Sequence, residues 1–172
     1  MASPASAAQQ ENPWKTPVVR TSRTALPRSG DVMTACFAVA PRPCGTHPPA
    51  GDAARIGTMR RIAAARLRYC GLEVLKGDVM LIVSELLTNA LLHSGTTEIS
   101  LSITAEDKSL RIAVRDGMPG NATPKTPGHK DESGRGLQLV QALVKESGGT
   151  WGTSDNGAET WCSLTIPAGA AS

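Results

Sequence analysis

Glu85 and Asn89 stand inside the run from Val79 to His93, which is otherwise built almost wholly from Leu, Ile, Val, Met and Ala. Four residues apart, they share one face of a helix. A carboxylate in such surroundings is expensive to bury unless it is paired or turned toward a ligand. The natural chemistry of the pair is Mg²⁺ coordination by the amide oxygen, with the carboxylate handling a proton or a water. A structural acid satisfied within the core is the plainer alternative. Asp116 extends the alternation Leu110, Ile112, Val114, so its carboxylate points toward the core at a strand end. There it can accept a hydrogen bond from an exocyclic amine such as that of adenine, or it can simply open the Asp-Gly turn that follows. Ser133-Gly134-Arg135-Gly136-Leu137 is a glycine-rich approach to a helix, where backbone N–H groups can cradle phosphate oxygens. It lacks the third glycine and the preceding strand of a dinucleotide fingerprint, and the chain has no GxxxxGK[ST] loop.

The elements that must position these groups follow from periodicity and from proline. The prolines cluster in residues 1–30, 41–50 and 117–128, with Pro167 beyond, and leave the intervening segments free for regular structure. A strand is expected near 33–40, then a loop from Pro41 to Ala50. A helix is expected over 52–69, with Ala54, Thr58, Ile62, Ala65 and Tyr69 on one face. Arg55, Arg60, Arg61, Arg66 and Arg68 occupy its other faces. A solvated surface is the plain reading of these arginines, and phosphate or partner binding the alternative. Asp78 is expected to cap a second, largely buried helix running to about His93 and ended by Gly95. Ile99, Leu101 and Ile103, then Leu110, Ile112 and Val114, predict an antiparallel pair. Residues 117–133 carry three Pro and three Gly, the length and composition of a functional loop or lid. A third helix is expected from Gly136 to about Ser147, with Leu137, Val140, Leu143 and Val144 inward. Strands near 149–154 and 159–166 close the domain, the second with Cys162, Leu164 and Ile166 on one face.

Composition removes several classes of function. The chain has 172 residues, is 40% hydrophobic and carries a net charge of +3. That is enough for one domain with a core, and no apolar run reaches membrane-spanning length. Within residues 1–30, Lys15, Arg20, Arg23 and Arg28 face only Glu11, so the net charge sits there and the remainder is neutral. Without a basic stripe or a platform of aromatics, direct nucleic-acid binding is not expected. Cys36, Cys44, Cys70 and Cys162 form no CxxC pair or Cys/His cluster, which argues for reduced thiols rather than zinc. Residues 1–30 read as a disordered, weakly basic tail, 31–167 as the domain, and 168–172 as a short C-terminal tail.

In combination and order, the motifs resemble those of the GHKL superfamily of ATP-binding domains. Ser84-Glu85-Leu86-Leu87-Thr88-Asn89-Ala90 is similar to its N box. Asp116-Gly117-Met118-Pro119-Gly120 stands in the place of the first glycine box, with Met118 where a glycine is usual. Gly134-Arg135-Gly136-Leu137 matches the second box, and Gly157 to Ile166, with Thr160, the closing strand. The resemblance covers roughly residues 31–167. It implies a Bergerat-type α+β two-layer sandwich: a mixed, mostly antiparallel sheet covered on one face by about three helices. By the same resemblance, Glu85 is the base or water-orienting carboxylate, Asn89 the Mg²⁺ ligand and Asp116 the adenine-binding residue. Gly134, Gly136 and Leu137 line the phosphates under a 117–133 lid, and Gly120, Ser133, Arg135 and Thr160 complete the ATP site. Lys130 or Arg135 would meet the γ-phosphate. His93 matches a position where the family often has histidine, and packing or capping at the helix end is its plainer role.

The phrases Ile-Val-Ser-Glu-Leu-Leu-Thr-Asn-Ala and Glu-Ser-Gly-Arg-Gly-Leu-Gln-Leu-Val look most like the bacterial anti-sigma-factor serine kinases. That resemblance implies a regulator with ATP and Mg²⁺ as cofactors, and the lack of a membrane-length apolar run or a signal-peptide stretch makes the soluble cytoplasm the expected compartment. It would phosphorylate a serine of an anti-sigma-factor antagonist, or bind a sigma factor when that antagonist is absent, and it leaves a homodimer open. The rival expectation is a nucleotide-gated binding module that sequesters a sigma factor or antagonist without phosphorylating it. A histidine-kinase fragment is disfavoured because no dimerising helical hairpin precedes the domain, and the large ATPases of the superfamily need more chain.

Overall fold

The structure is a computed structural model and describes residues 18–20, 29–43, 46–118, 132–154 and 156–168. Strict alternation writes its sheet. Strand β3 (Glu98–Glu106) buries Ile99, Leu101 and Ile103, and β4 (Ser109–Arg115) buries Leu110, Ile112 and Val114. The pairing sets Leu101 opposite Val114 and Ile103 opposite Ile112, so both apolar rows lie on one face. A tight turn at Asp107 and Lys108 joins them, with Asp107 at φ 27°, a conformation Asp tolerates in hairpins. Strand β6 (Glu159–Thr165) continues the rows with Leu164 opposite Leu110 and Cys162 opposite Ile112. Strand β5 (Thr150–Thr153) forms the edge, and β2 (Ser29–Ala38) flanks β3 on the other side.

Strand β1 (Val18–Arg20) lies beyond β2, giving the order β1-β2-β3-β4-β6-β5 with every pairing antiparallel. The expected two-layer α+β sandwich is therefore what the chain forms, and among the described residues its sheet is antiparallel throughout rather than mixed. Two pieces of the expected tail belong to the sheet instead. Val18 to Arg20 pair with Thr34 to Cys36, and β2 begins at Ser29. β-branched Val18 and Val19 favour strand, and their pairing covers part of an edge that β2 would otherwise expose.

Three helices cover the apolar face. Helix α1 (Ala50–Tyr69) buries Met59, Ala63 and Leu67, with Ile56 and Ile62 half-buried beside them. This is not the expected face: Ala65 is exposed and Tyr69 is 59% exposed. The large side chains Met59 and Leu67, two turns apart, set the inward direction, and the row from Ala54 to Tyr69 has only Ile62 to offer against them. Asp52, in the first turn, is buried. Its carboxylate accepts the Ala40 N–H at 3.0 Å and lies 3.5 Å from Arg55 and 3.9 Å from Arg42, tying the end of β2 to the helix start.

Helix α2 (Lys76–His93) packs against α1 and both central strands and buries Val79, Ile82, Val83, Leu86, Leu87, Ala90 and Leu91. It starts two residues before the expected Asp78 cap, running directly out of a short 3₁₀ turn at Glu73–Leu75. Asp78 lies within the first turn, where its charge faces the positive end of the helix dipole. At the other end Ser94 Oγ donates to the Ala90 carbonyl at 2.6 Å, and Gly95 follows with φ +65° and ends the helix. Helix α3 (Glu132–Glu146) also begins before its expected start at Gly136, so Ser133 to Gly136 are helix rather than loop. Its inward residues Leu137, Val140 and Val144 are buried, with Leu143 packed beside them.

Candidate functional site

Helix α2 sends its long apolar side chains toward the sheet and α1, which leaves a more polar strip of the helix facing α3. Glu85, Thr88, Asn89, Leu92 and His93, at helical spacing, line a cavity of about 200 Å³. Gly136 and Leu137 of α3 close its other side. Glu85 is half-buried rather than buried. The carboxylate in an apolar helix is accommodated because its face opens on the cavity. The approach of the two helices is close. A side chain at Gly136 would run into the Glu85 carboxylate, whose Cδ lies 3.1 Å from the point where that side chain would begin.

Asp116 follows the last residue of β4. Its N–H and that of Gly117 both donate to the Ala158 carbonyl, at 3.1 and 3.3 Å. Its Oδ1 accepts the Met118 N–H at 3.0 Å, and Gly117 takes φ +68°. Asp116 thus opens the turn that ends β4, the strand whose Leu110, Ile112 and Val114 form the helix-facing side of the sheet, and it is itself half-buried. Burial pushes its carboxyl above the ordinary 3.8, against the opposing pull of the Met118 and Asp116 backbone N–H groups. Thr160 pairs with Val114, so it shares that helix-facing side, and it is also half-buried.

The structure thus brings Glu85, Asn89, Gly136 and Leu137 around one cavity. Asp116 and Thr160 lie outside its lining, at the adjoining ends of β4 and β6. Arg135 is exposed on α3, and Ser133 and Gly134 belong to the same helix. Gly120, Lys130 and the expected lid beyond Met118 lie outside the described residues. Thr88 and Leu92 were not anticipated, although steps of three and seven residues from Glu85 along a helix lead to both. His93 lines the cavity, and the capping expected of it is done by Ser94. The arginines of α1 divide in use. Arg66 Nε donates to the Val32 carbonyl at 2.8 Å and Arg55 pairs with Asp52, while Arg61 and Arg68 are exposed.

An antiparallel sheet under three helices, with a carboxylate and a carboxamide opening together between two of them, defines an α+β ligand-binding domain whose ligand meets polar oxygens. The chain belongs to the histidine kinase-like ATPase domain family, which matches residues 50–164, from the start of α1 into β6. It is therefore an ATP-binding domain. A search of the curated proteins gives no match.

The residues present suit that ligand. Asn89 offers a hard oxygen donor on the cavity wall, the kind Mg²⁺ takes. Gly136 keeps the α3 backbone bare there, and Asp116 adds a half-buried carboxylate at the end of β4. The cavity is smaller than the ~300–1,000 Å³ of ordinary small-molecule sites.

Proposed function

We propose that this chain is an anti-sigma-type regulator that works as a Mg·ATP-dependent protein serine kinase, phosphorylating an anti-sigma-factor antagonist and so controlling a sigma factor in the cytoplasm. The observation that carries this reading is the cavity shared by Glu85 and Asn89. A cation-ligating amide alone would serve binding, whereas a carboxylate facing the same space can also move a proton. Mg·ATP, when bound, supplies the phosphoryl group and a cation to offset its charge. Asn89 would hold that cation through its amide oxygen, and Asp116 would accept the amine of the base. Glu85 orients the acceptor serine hydroxyl and takes its proton. Leu137 and Leu92 give the cavity apolar walls that strengthen these polar contacts. Arg135, exposed on α3, is a cation available to the terminal phosphate. No helix among the described residues is long and apolar enough to cross a membrane.

One observation favours the second reading, a module that binds its partner without phosphorylating it. Met118, 44% exposed, stands where the family's first glycine box usually has glycine, beside the residue that would meet the base. Two variants test nucleotide binding and transfer in turn. Asn89→Ala is expected to abolish the rise in melting temperature that millimolar Mg·ATP gives the wild type. Glu85→Ala is expected to keep that rise and lose transfer, measured as phosphoserine on a co-purified antagonist by mass spectrometry. A wild type with no ATP-dependent shift overturns the nucleotide reading, and binding without phosphoserine leaves the module.

A further inference from the structure

The three heavy atoms nearest to where a Gly136 side chain would begin all belong to Glu85: Oε2, then Cδ at 3.1 Å and Cβ at 3.7 Å. Two other helical glycines, Gly77 and Gly57, differ. Gly77 has nothing within 4 Å, and Gly57 meets only Arg60 Nη2 at 4.0 Å. Gly136 is the fifth residue of α3, past the point where a glycine eases a helix start, so it lowers helix propensity without a backbone reason. The reason lies across the helix junction. We propose that Gly136 is the seat of the Glu85 carboxylate, a positioning residue that fixes where the carboxylate stands in the cavity rather than a contact for phosphate.

The seat deepens the kinase reading and rests on the role given there to Glu85. A carboxylate at the end of three rotatable bonds has many orientations, and only those toward the acceptor hydroxyl are productive. The bare backbone at Gly136 lets α3 approach until it limits that choice. Because the conflicting atom is the tip of a flexible side chain, a methyl at position 136 displaces the carboxylate and spares the fold.

Gly136→Ala is therefore expected to fold with a melting temperature no lower than wild type. It should bind Mg·ATP within about twofold of wild type and transfer phosphate, to acceptor or to water, about as poorly as Glu85→Ala. The double variant should be no slower than Glu85→Ala alone, since a seat without its occupant has nothing to lose. A phosphate-lining role makes the opposite split: weakened nucleotide affinity, turnover retained at saturating ATP, and an additive double variant. Either that affinity loss or that additivity overturns the seat. If the wild type shows no turnover, the kinase reading fails by itself, and the seat is then read from the carboxyl ¹³C resonance of Glu85. Gly136→Ala should move that resonance, and an unmoved resonance overturns the seat.

Discussion

Asp116 is held firmly in the turn that ends β4. Its backbone is fixed through the Ala158 carbonyl, and one carboxylate oxygen is engaged by the Met118 N–H. Burial raises its pKa, so between its ordinary 3.8 and the raised folded value the folded chain binds more protons than the unfolded chain. Stability contributed by this group is thus fullest at low pH and falls as pH rises through that window. Asp116→Asn keeps an oxygen for the Met118 N–H and removes the half-buried charge. It should melt higher than wild type at pH 7, converge with it below pH 4, and bind ATP more weakly. Melting curves from pH 3.5 to 7.5 check the sign, and a variant less stable at pH 7 contradicts the account. Glu85, Asn89 and Asp116 were legible in the sequence because an ionisable or amide group in an apolar pattern stands out. Thr88 and Leu92 were not, since a threonine and a leucine in that helix look like any others until the position of α3 is known.

Among the elements, β3, β4 and β6 were legible because each carries a period of two with long or β-branched apolar residues on one face, whereas β1, three residues within the expected tail, was not. Helix ends were less so. Glycines at 134 and 136 looked like loop, and the packing of Leu137, Val140 and Val144 draws the chain into helix earlier. Helix α1 hid its inward face because alanine and arginine occupy every side of it. One of those arginines is structural for a reason only tertiary contact reveals. The β2–β3 register shifts between Asp31 and Met33, so Val32 sits at a bulge, and Arg66 supplies the donor its carbonyl takes. Arg66→Ala leaves that half-buried acceptor unpaired and should cost about 1–3 kcal/mol. Exposed Arg68→Ala should stay within about 0.5 kcal/mol of wild type. Urea midpoints measure both, and equal effects would mean the bulge carbonyl finds water instead.

At the scale of the molecule, the neutral charge read for residues 31–172 agrees with a cavity whose polar lining, among the described residues, is one carboxylate, one amide, a threonine and a histidine. The sheet order could not be read from sequence, because it depends on which strand β6 chooses to pair with, and it places β6 between β4 and β5. That placement encloses Cys162 between Ile112 and Trp151. Burial pushes its thiol up to about 12, against a weak opposing pull from Arg111. Cys36 and Cys70, half-buried, are raised as well but remain nearer the surface. The thiolate is the reactive form, so native protein treated with iodoacetamide at pH 8 should be labelled at Cys36 and Cys70 well before Cys162. Reaching Cys162 requires separating the central strands, which makes its labelling rate a measure of global opening. Mg·ATP binds only the folded chain in the reading above, so it should slow Cys162 labelling by a factor approaching 1 + [ATP]/Kd where labelling follows the opening equilibrium. Peptide-resolved mass spectrometry reads each site separately. Labelling of Cys162 as fast as Cys70 would show that the sheet opens locally at β6 without unfolding the rest.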